Sequence, residues 1–293
     1  MNGIKEINLP YKLFKKGKVR DVYEIDDYLL IISSDRISAF DFVLPSVIPD
    51  KGKVLNQISA FWFDITGKKF PNHLISSSPE NLDQFKEISN LIEGRSILGK
   101  KLKTFPVEAI VRNYIVGSGW KSYLKDKKIC GVELPENLSF GARLKEPIFT
   151  PTTKEDEGHD ENITFEEMEN TIGKEYSEKI RKISIDLFKT ASEFALSKGI
   201  IIADTKFEFG MDESGNIILI DEIFTPDSSR FWKVEDYSPG IDPPAFDKQY
   251  VRNFLLESDW DKKTVPPPLP ETVVSKTREK YMEIYNILTG RTI

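Results

Sequence analysis

The sequence is poor in the residues that build disulfide-stapled and metal-rich proteins. Its 293 residues contain one cysteine, Cys130, and two histidines, His73 and His159. A single thiol excludes an intramolecular disulfide framework and a cysteine-rich zinc site. Two histidines argue against a histidine-based zinc centre. Cys130 is expected as a buried or bystander thiol, not a nucleophile. No apolar run approaches the roughly 20 residues that span a bilayer. The opening MNGIKEINLPYKLFKKGK holds no apolar signal core. The expectation is a cytoplasmic protein without a membrane partner. Basic excess is also missing: 41 Lys and Arg against 47 Asp and Glu give a net charge of −6. That balance argues against a nonspecific nucleic-acid binder.

What is present is a hydrophobic fraction of 39% with 30% charged residues, the mix of a globular chain with a real core. The length favours two domains. A break is expected near Thr104 to Pro106, giving residues 1–105 and 106–293.

The most informative stretch is DTKFEFGMDESGNIILIDEIFTPDSSR, residues 204–230. Asp204 to Phe209 alternates charged and apolar residues, as a half-buried strand does. Asp212-Glu213-Ser214-Gly215 is turn chemistry, and Ile217 to Ile220 returns as a second strand. If Met211 pairs with Asn216, Lys206 faces Asp221, and Lys206, Glu208 and Asp221 share one face. A slip of one residue moves Asp221 to the other face. One cation among carboxylates on a sheet face can hold Mg²⁺ and a phosphorylated substrate; a solvated face with salt bridges reads the same. The following Thr225-Pro226-Asp227-Ser228-Ser229-Arg230 has the hydroxyls and guanidinium that suit an oxyanion.

The rest of the chain supplies three further signals. Lys15-Lys16-Gly17-Lys18-Val19-Arg20 is a basic glycine turn entering a strand that ends near Ile25. Its partner, Tyr28 to Ser34, follows an Asp26-Asp27 turn. Such a turn can bring backbone N–H and ammonium groups to a polyphosphate, although no Walker A motif is present. Pro106 to Trp120 is read as a strand running into Gly117-Ser118-Gly119 and a helix, an anion seat to which Arg112 adds charge. Ser34 to Asp41 is read as a dense polar loop. Thr150 to Lys154 and Glu157 to Asn162 are read as one long polar loop before a capping box at Thr164-Phe165-Glu166-Glu167. Helices are expected over Val54 to Ile65, led into by Asp50 to Lys53, and over Tyr176 to Gly199, Phe246 to Leu255 and Glu271 to Leu288. A short strand is expected at Ile200 to Ala203.

Taken in order, GKVRDVYE, SDRISAFD, IPDKGKVLNQIS, VEAIVRNYIVGSGW, GHDENI, DTKFEFG and DEIFTPDSSRFW closely resemble the SAICAR synthetase family, in its longer form. The resemblance implies an α+β, two-lobed fold. An N-terminal antiparallel nucleotide lobe precedes a larger C-terminal α/β domain, with the site in the cleft between them. It implies a ligase that joins L-aspartate to 5-amino-4-carboxyimidazole ribonucleotide (CAIR), with ATP and Mg²⁺, through an acyl phosphate.

The resemblance also implies roles for particular residues. Lys15, Gly17, Lys18 and Arg20 lie over the ATP phosphates. Arg112, Ser118 and Arg230 hold the nucleotide 5′-phosphate, with Ser229 beside them and Asp204 near the ribose. Glu208 and Asp221 ligate the metal, and Lys206 balances charge at the reacting carboxylates. Ser38, Asp41, Lys154 and His159 are candidates for the aspartate subsite. The expected assembly is a monomer or small homo-oligomer. Two alternatives share the phosphate chemistry: another ATP-dependent ligase or small-molecule kinase, and a nucleotide-binding homologue without turnover.

Overall fold

The computed structural model describes residues 3–154, 160–246 and 248–293. Two antiparallel sheets dominate it. Strands β1 (Lys12–Lys16), β2 (Arg20–Ile25) and β3 (Tyr28–Ser33) form a meander, with Asp26 taking the left-handed conformation in the two-residue turn between β2 and β3. A hairpin of β4 (Arg36–Ala39) and β5 (Phe42–Val47) leads to helix α1 (Lys51–Thr66). Strand β6 (Leu74–Ser76), short helix α2 (Ser89–Ile92) and strand β7 (Ser96–Lys100) complete the first sheet, whose order is β1-β2-β3-β7-β6.

The second half opens with β8 (Lys103–Thr104), β9 (Val107–Tyr114) and helix α3 (Gly117–Asp126). A small hairpin, β10 (Lys128–Ile129) and β11 (Val132–Glu133), precedes the long β12 (Arg143–Thr153). Helices α4 (Phe165–Ile172) and α5 (Lys174–Ser197) follow. Next come β13 (Ile200–Met211), β14 (Ile217–Ile220) and β15 (Ser229–Lys233), then α6 (Gln249–Glu257) and α7 (Glu271–Thr289). The Thr164–Glu167 capping box forms as expected, with the Thr164 side chain accepting from the Glu167 N–H.

Strand β13 organises the second sheet. On one edge it pairs with β9 and β8; on the other it pairs first with β15 and then with β14. Both β14 and β15 lie along the same edge, so residues 221–228 between them must leave the sheet. They leave it beside Lys206, whose N–H donates to the Ser228 carbonyl at 2.9 Å. This is the physical origin of the site: a polar loop extruded at mid-strand, next to side chains that alternate along β13.

Four expectations are corrected here. The β13–β14 register is Met211↔Ile217 and Glu208↔Ile220, one residue away from the Met211–Asn216 pairing. Ser34 to Asp41 is not a polar loop but the start of a buried hairpin. Its polar groups find internal partners: Ser34 Oγ donates to the Val19 carbonyl, Asp35 accepts from the Gly52 N–H, and the Arg36 guanidinium grips Asp21 at 2.7 and 3.1 Å. Thr150 to Thr153 is the end of β12, with Thr150 and Thr152 buried against β9. Ile200 to Ala203 is continuous with the longer strand.

The cores explain how the two sheets are joined. Tyr23, Leu30, Ile32, Phe85, Ile92 and Leu98 fill a cluster on the first sheet. The main core unites Val54, Leu55, Ile58, Trp62 and Phe63 of α1 with Phe207, Phe209, Phe188 and Tyr281. Helix α1 therefore buries its apolar face with the second half of the chain. The sheets part between Lys100 and Lys103, ahead of residue 105, and the cores do not divide there. The segment around His73 stitches the two sheets together: its N–H donates to the Leu219 carbonyl, and its carbonyl accepts from the Lys100 N–H. Among the described residues, no helix is long and apolar enough to cross a membrane.

Candidate active site

Five residues expected at a nucleotide phosphate and ribose line one cavity of about 180 Å³. Asp204 lies opposite Arg112 in the β13–β9 ladder. Its Oδ2 accepts from Arg112 Nη1 at 3.0 Å and from Arg230 Nη1 at 2.6 Å. Arg112 also donates to Thr150 Oγ1 at 3.1 Å and to Ser118 Oγ at 3.0 Å. Ser229 Oγ lies 2.7 Å from Thr205 Oγ1. Gly117 opens α3 with φ 55°, and a Cβ there would stand 2.7 Å from Arg230 Nη2. Only glycine gives both the backbone conformation and the space. Two arginines, a helix N-terminus and hydroxyls thus converge around one carboxylate, a geometry suited to a phosphorylated sugar.

A second cluster adjoins it through Lys206. The Lys206 Nζ meets Glu108 Oε1 at 2.5 Å and Glu208 Oε1 at 2.8 Å, and Lys154 caps the other oxygen of Glu208. Burial opposes the charge on Lys206, but Glu208, Glu108 and Asp221 outweigh it and hold the ammonium above the ordinary lysine range. Burial likewise opposes ionisation of Glu208, and Lys206 and Lys154 overcome it, keeping that carboxyl well below the usual range. Glu108 goes the other way, with burial raising its value against the pull of Lys206.

Asp221 reaches this cluster despite the shifted register. It lies just beyond β14 with φ 66°, so strand alternation no longer decides where it points. Its field is felt by Lys206, and its Oδ2 pairs with Arg20 Nη2 at 2.7 Å. Glu222 reaches the same guanidinium at 3.3 Å. Burial weighs against the Arg20 charge, but Asp221 and Glu222 hold it firmly protonated. Arg20 comes from β2 of the first sheet, so this pair links the first sheet to the residue that follows β14.

The remaining members of the basic turn lie nearby in sequence but take other partners. The Gly17 N–H donates to the Arg20 carbonyl at 2.7 Å, and a Cβ on Gly17 would sit 2.8 Å from that oxygen. Close approach therefore requires the glycine, although its φ is not positive. Arg36 braces the turn from behind through the Gly17 and Lys18 carbonyls. The whole of β1, including Lys15, is exposed, and Lys18 Nζ meets Asp41 Oδ1 at 2.6 Å. Of the aspartate-subsite candidates, Lys154 meets Glu208, Asp41 meets Lys18, and Ser38 is buried opposite Val43. His159 lies outside the described residues. Cys130 is half-buried with its thiol pushed up to about 11 by burial, so it is no thiolate nucleophile.

Sequence reasoning missed Glu108, Glu222, Lys248 and Arg252, and placed Asp227 only within the Thr225 to Arg230 loop. Glu108 had a signal, since it alternates with Arg112 along β9. Lys248 and Arg252, spaced i,i+4, line the cavity with Asp227; the spacing was legible as a charged helix face but not as a site. Among the described residues, no group of three or more His, Cys, Asp or Glu is disposed to hold a metal. Protein carboxylates alone do not cage an ion there. Two carboxylates, Glu208 and Asp221, beside an arginine-lined cavity fit Mg²⁺, an ion that completes its shell with water and substrate phosphates.

Comparison with known proteins agrees with this geometry. The sequence pattern of the family described as SAICAR synthetase matches residues 13–267. A phosphoribosylaminoimidazole-succinocarboxamide synthase of Thermodesulfovibrio yellowstonii is 54% identical, covering 99% of both chains. The solved SAICAR synthase of Saccharomyces cerevisiae, complexed with SAICAR, is 39% identical with a TM-score of 0.89, covering 99% of each chain. A SAICAR synthetase solved in complex with ADP is 27% identical with a TM-score of 0.69, over 95% of this chain and 98% of that one. With its mixed α/β architecture, its antiparallel sheets and these matches along its whole length, the chain belongs to the SAICAR synthetase family.

Proposed function

We propose that the chain joins L-aspartate to the carboxylate of CAIR, forming SAICAR, ADP and phosphate in purine biosynthesis, and that it does so in the cleft along β13. A carboxylate oxygen of CAIR attacks the γ-phosphorus of ATP and ADP leaves. The aspartate amine then attacks the acyl carbon, phosphate departs with the carboxylate oxygen, and the amine loses a proton. The reading rests above all on one observation: the Lys206–Glu208–Asp221 cluster and the Arg112–Ser118–Asp204–Arg230 cavity adjoin along β13, which carries Asp204, Lys206 and Glu208.

In this reading the arginines and the α3 N-terminus hold the CAIR phosphate, Asp204 faces the ribose, and Lys248 and Arg252 add charge to the cavity. Lys206 stands where negative charge gathers between the two carboxyl substrates. Its permanent protonation suits it to electrostatic stabilisation, not to base chemistry. Glu208 and Asp221 would hold Mg²⁺; when bound, the ion neutralises charge on the transferring phosphoryl group. Lys15, Gly17, Lys18 and Arg20 face the ATP phosphates, and Arg20 exchanges its carboxylate partners when nucleotide arrives. Lys154 and Asp41 remain the aspartate-subsite candidates with a described position near charged partners. Charged small-molecule substrates fit work in the cytoplasm, as a monomer or small homo-oligomer.

The test is a coupled assay for ADP with CAIR, aspartate or Mg²⁺ omitted in turn. The reading expects ADP release only with all three present. Steady release without CAIR would favour an unrelated ATPase or kinase.

A further inference from the structure

Lys51, the first residue of α1, is a lysine with 0% of its side chain exposed, and nothing in the reaction above uses it. A buried ammonium is costly without a partner. Its Nζ meets Asp227 Oδ2 at 2.7 Å and lies 5.6 Å from the centre of the Tyr281 ring. The Tyr281 hydroxyl donates to the other oxygen, Asp227 Oδ1, at 2.9 Å. Asp227 is itself only 2% exposed. Lys248 and Lys51, with Tyr281, hold its carboxyl well below the usual range against the effect of burial.

Lys248 Nζ approaches the same Oδ2 but stops at 3.4 Å. Among the described residues the Asp227 carboxylate has three side-chain partners, and of these Lys248 alone lines the substrate cavity. One carboxylate therefore has two ammonium neighbours, a close one behind it and a distant one in the cavity. The close one sits on a firm platform. Helices α1 and α7 are joined by Arg278 to Asp50 at 2.6 and 3.0 Å and by the Tyr285 hydroxyl to Gln57 at 2.6 Å.

We propose that Lys51 and Tyr281 are positioning residues for substrate binding: they satisfy Asp227 from behind, so that Lys248 is available to the phosphorylated nucleotide in the cavity. Without them, Lys248 becomes the main cation for a buried carboxylate and is drawn off the ligand. The proposal rests on the assignment of this cavity to CAIR.

A double-mutant cycle with Lys51→Met and Lys248→Met tests it, with CAIR affinity read by isothermal titration of the full chain and KM for ATP read in turnover. Each single variant is expected to weaken CAIR binding about tenfold, the size of one charge-assisted contact. KM for ATP should stay within about twofold. The double variant should bind CAIR about as well as either single variant, because the two changes remove the same contact. Losses that multiply to about 100-fold would mean that Lys51 acts independently of Lys248, and would overturn the proposal. Should Lys51→Met not fold, Tyr281→Phe takes its place in the cycle. It is expected to weaken CAIR binding about threefold, without adding to Lys248→Met. An unchanged affinity in Tyr281→Phe removes Tyr281 from the network. Failure of the wild-type chain to bind CAIR would instead sink the assignment of the cavity.

Discussion

Replacing Glu208 by glutamine keeps the shape of the side chain and removes one charge from the centre of the cleft. Around that position Lys154, Lys206 and Arg20 face Glu108, Glu208, Asp221 and Glu222. Among the described residues, three formal cations meet four carboxylates, and the substitution leaves three against three. At 2.8 Å the Glu208–Lys206 attraction is about 6 kcal/mol with an effective dielectric near 20. Most of it is recovered on loss, because Lys206 keeps Glu108 at 2.5 Å and Lys154 is exposed enough to turn to water. The expected cost in stability is therefore about 1–3 kcal/mol, a drop of a few degrees in Tm. The effect on rate is larger. A lost hard anionic ligand to Mg²⁺ should lower turnover at least about 100-fold, roughly 2.7 kcal/mol of transition-state stabilisation. The assay is ADP release across a Mg²⁺ titration, with a thermal melt on the same sample. Near-normal turnover at saturating Mg²⁺ would refute the metal assignment, and a collapse of the melt would show that Glu208 is mainly structural.

Three further outcomes are expected. Arg230→Ala should weaken CAIR binding by about 1.5–3 kcal/mol and ATP binding far less; titration showing the larger loss for ATP would exchange the two subsites. Lys18→Ala should raise KM for ATP while leaving CAIR affinity intact, and amide exchange over residues 14–24 should slow when a nonhydrolysable ATP analogue binds; unchanged exchange and kinetics would return that turn to an ordinary surface role. Burial pulls His73 down to about 4 from an ordinary value of 6.5. The unfolded chain then binds the extra proton between those pH values, so stability falls as pH drops from 6.5 to 4, by about 3 kcal/mol. The gap in urea midpoints between wild type and His73→Asn should narrow over that window, and a constant gap contradicts the assignment.

The sequence was most legible where local chemistry decides structure. The Thr164–Glu167 capping box, the Asp26–Asp27 turn and the alternation along Asp204 to Phe209 each carried their own signal. The glycines before Trp120 also marked the α3 start correctly. Legibility failed where a partner lies far along the chain. Ser34 to Arg36 look like loop residues because the groups that satisfy them, such as the Val19 carbonyl and Asp21, are not adjacent in sequence. Lys51 reads as a surface lysine until Asp227 is found 176 residues away. The register error is instructive in another way. Asp221 lies beyond β14 in the left-handed conformation, so its pairing with Arg20 is set by the turn and not by the strand register.

The central claim is that this cleft activates a carboxylate by phosphoryl transfer before an amine attacks it. The direct measurement uses CAIR labelled with ¹⁸O in its carboxylate, with ATP, Mg²⁺ and L-aspartate, followed by mass analysis of the phosphate and nucleotide products. The account predicts SAICAR and ADP in equal amounts and one labelled oxygen in every phosphate released from fully labelled CAIR. Unlabelled phosphate, or SAICAR formed without matching ADP, would contradict it.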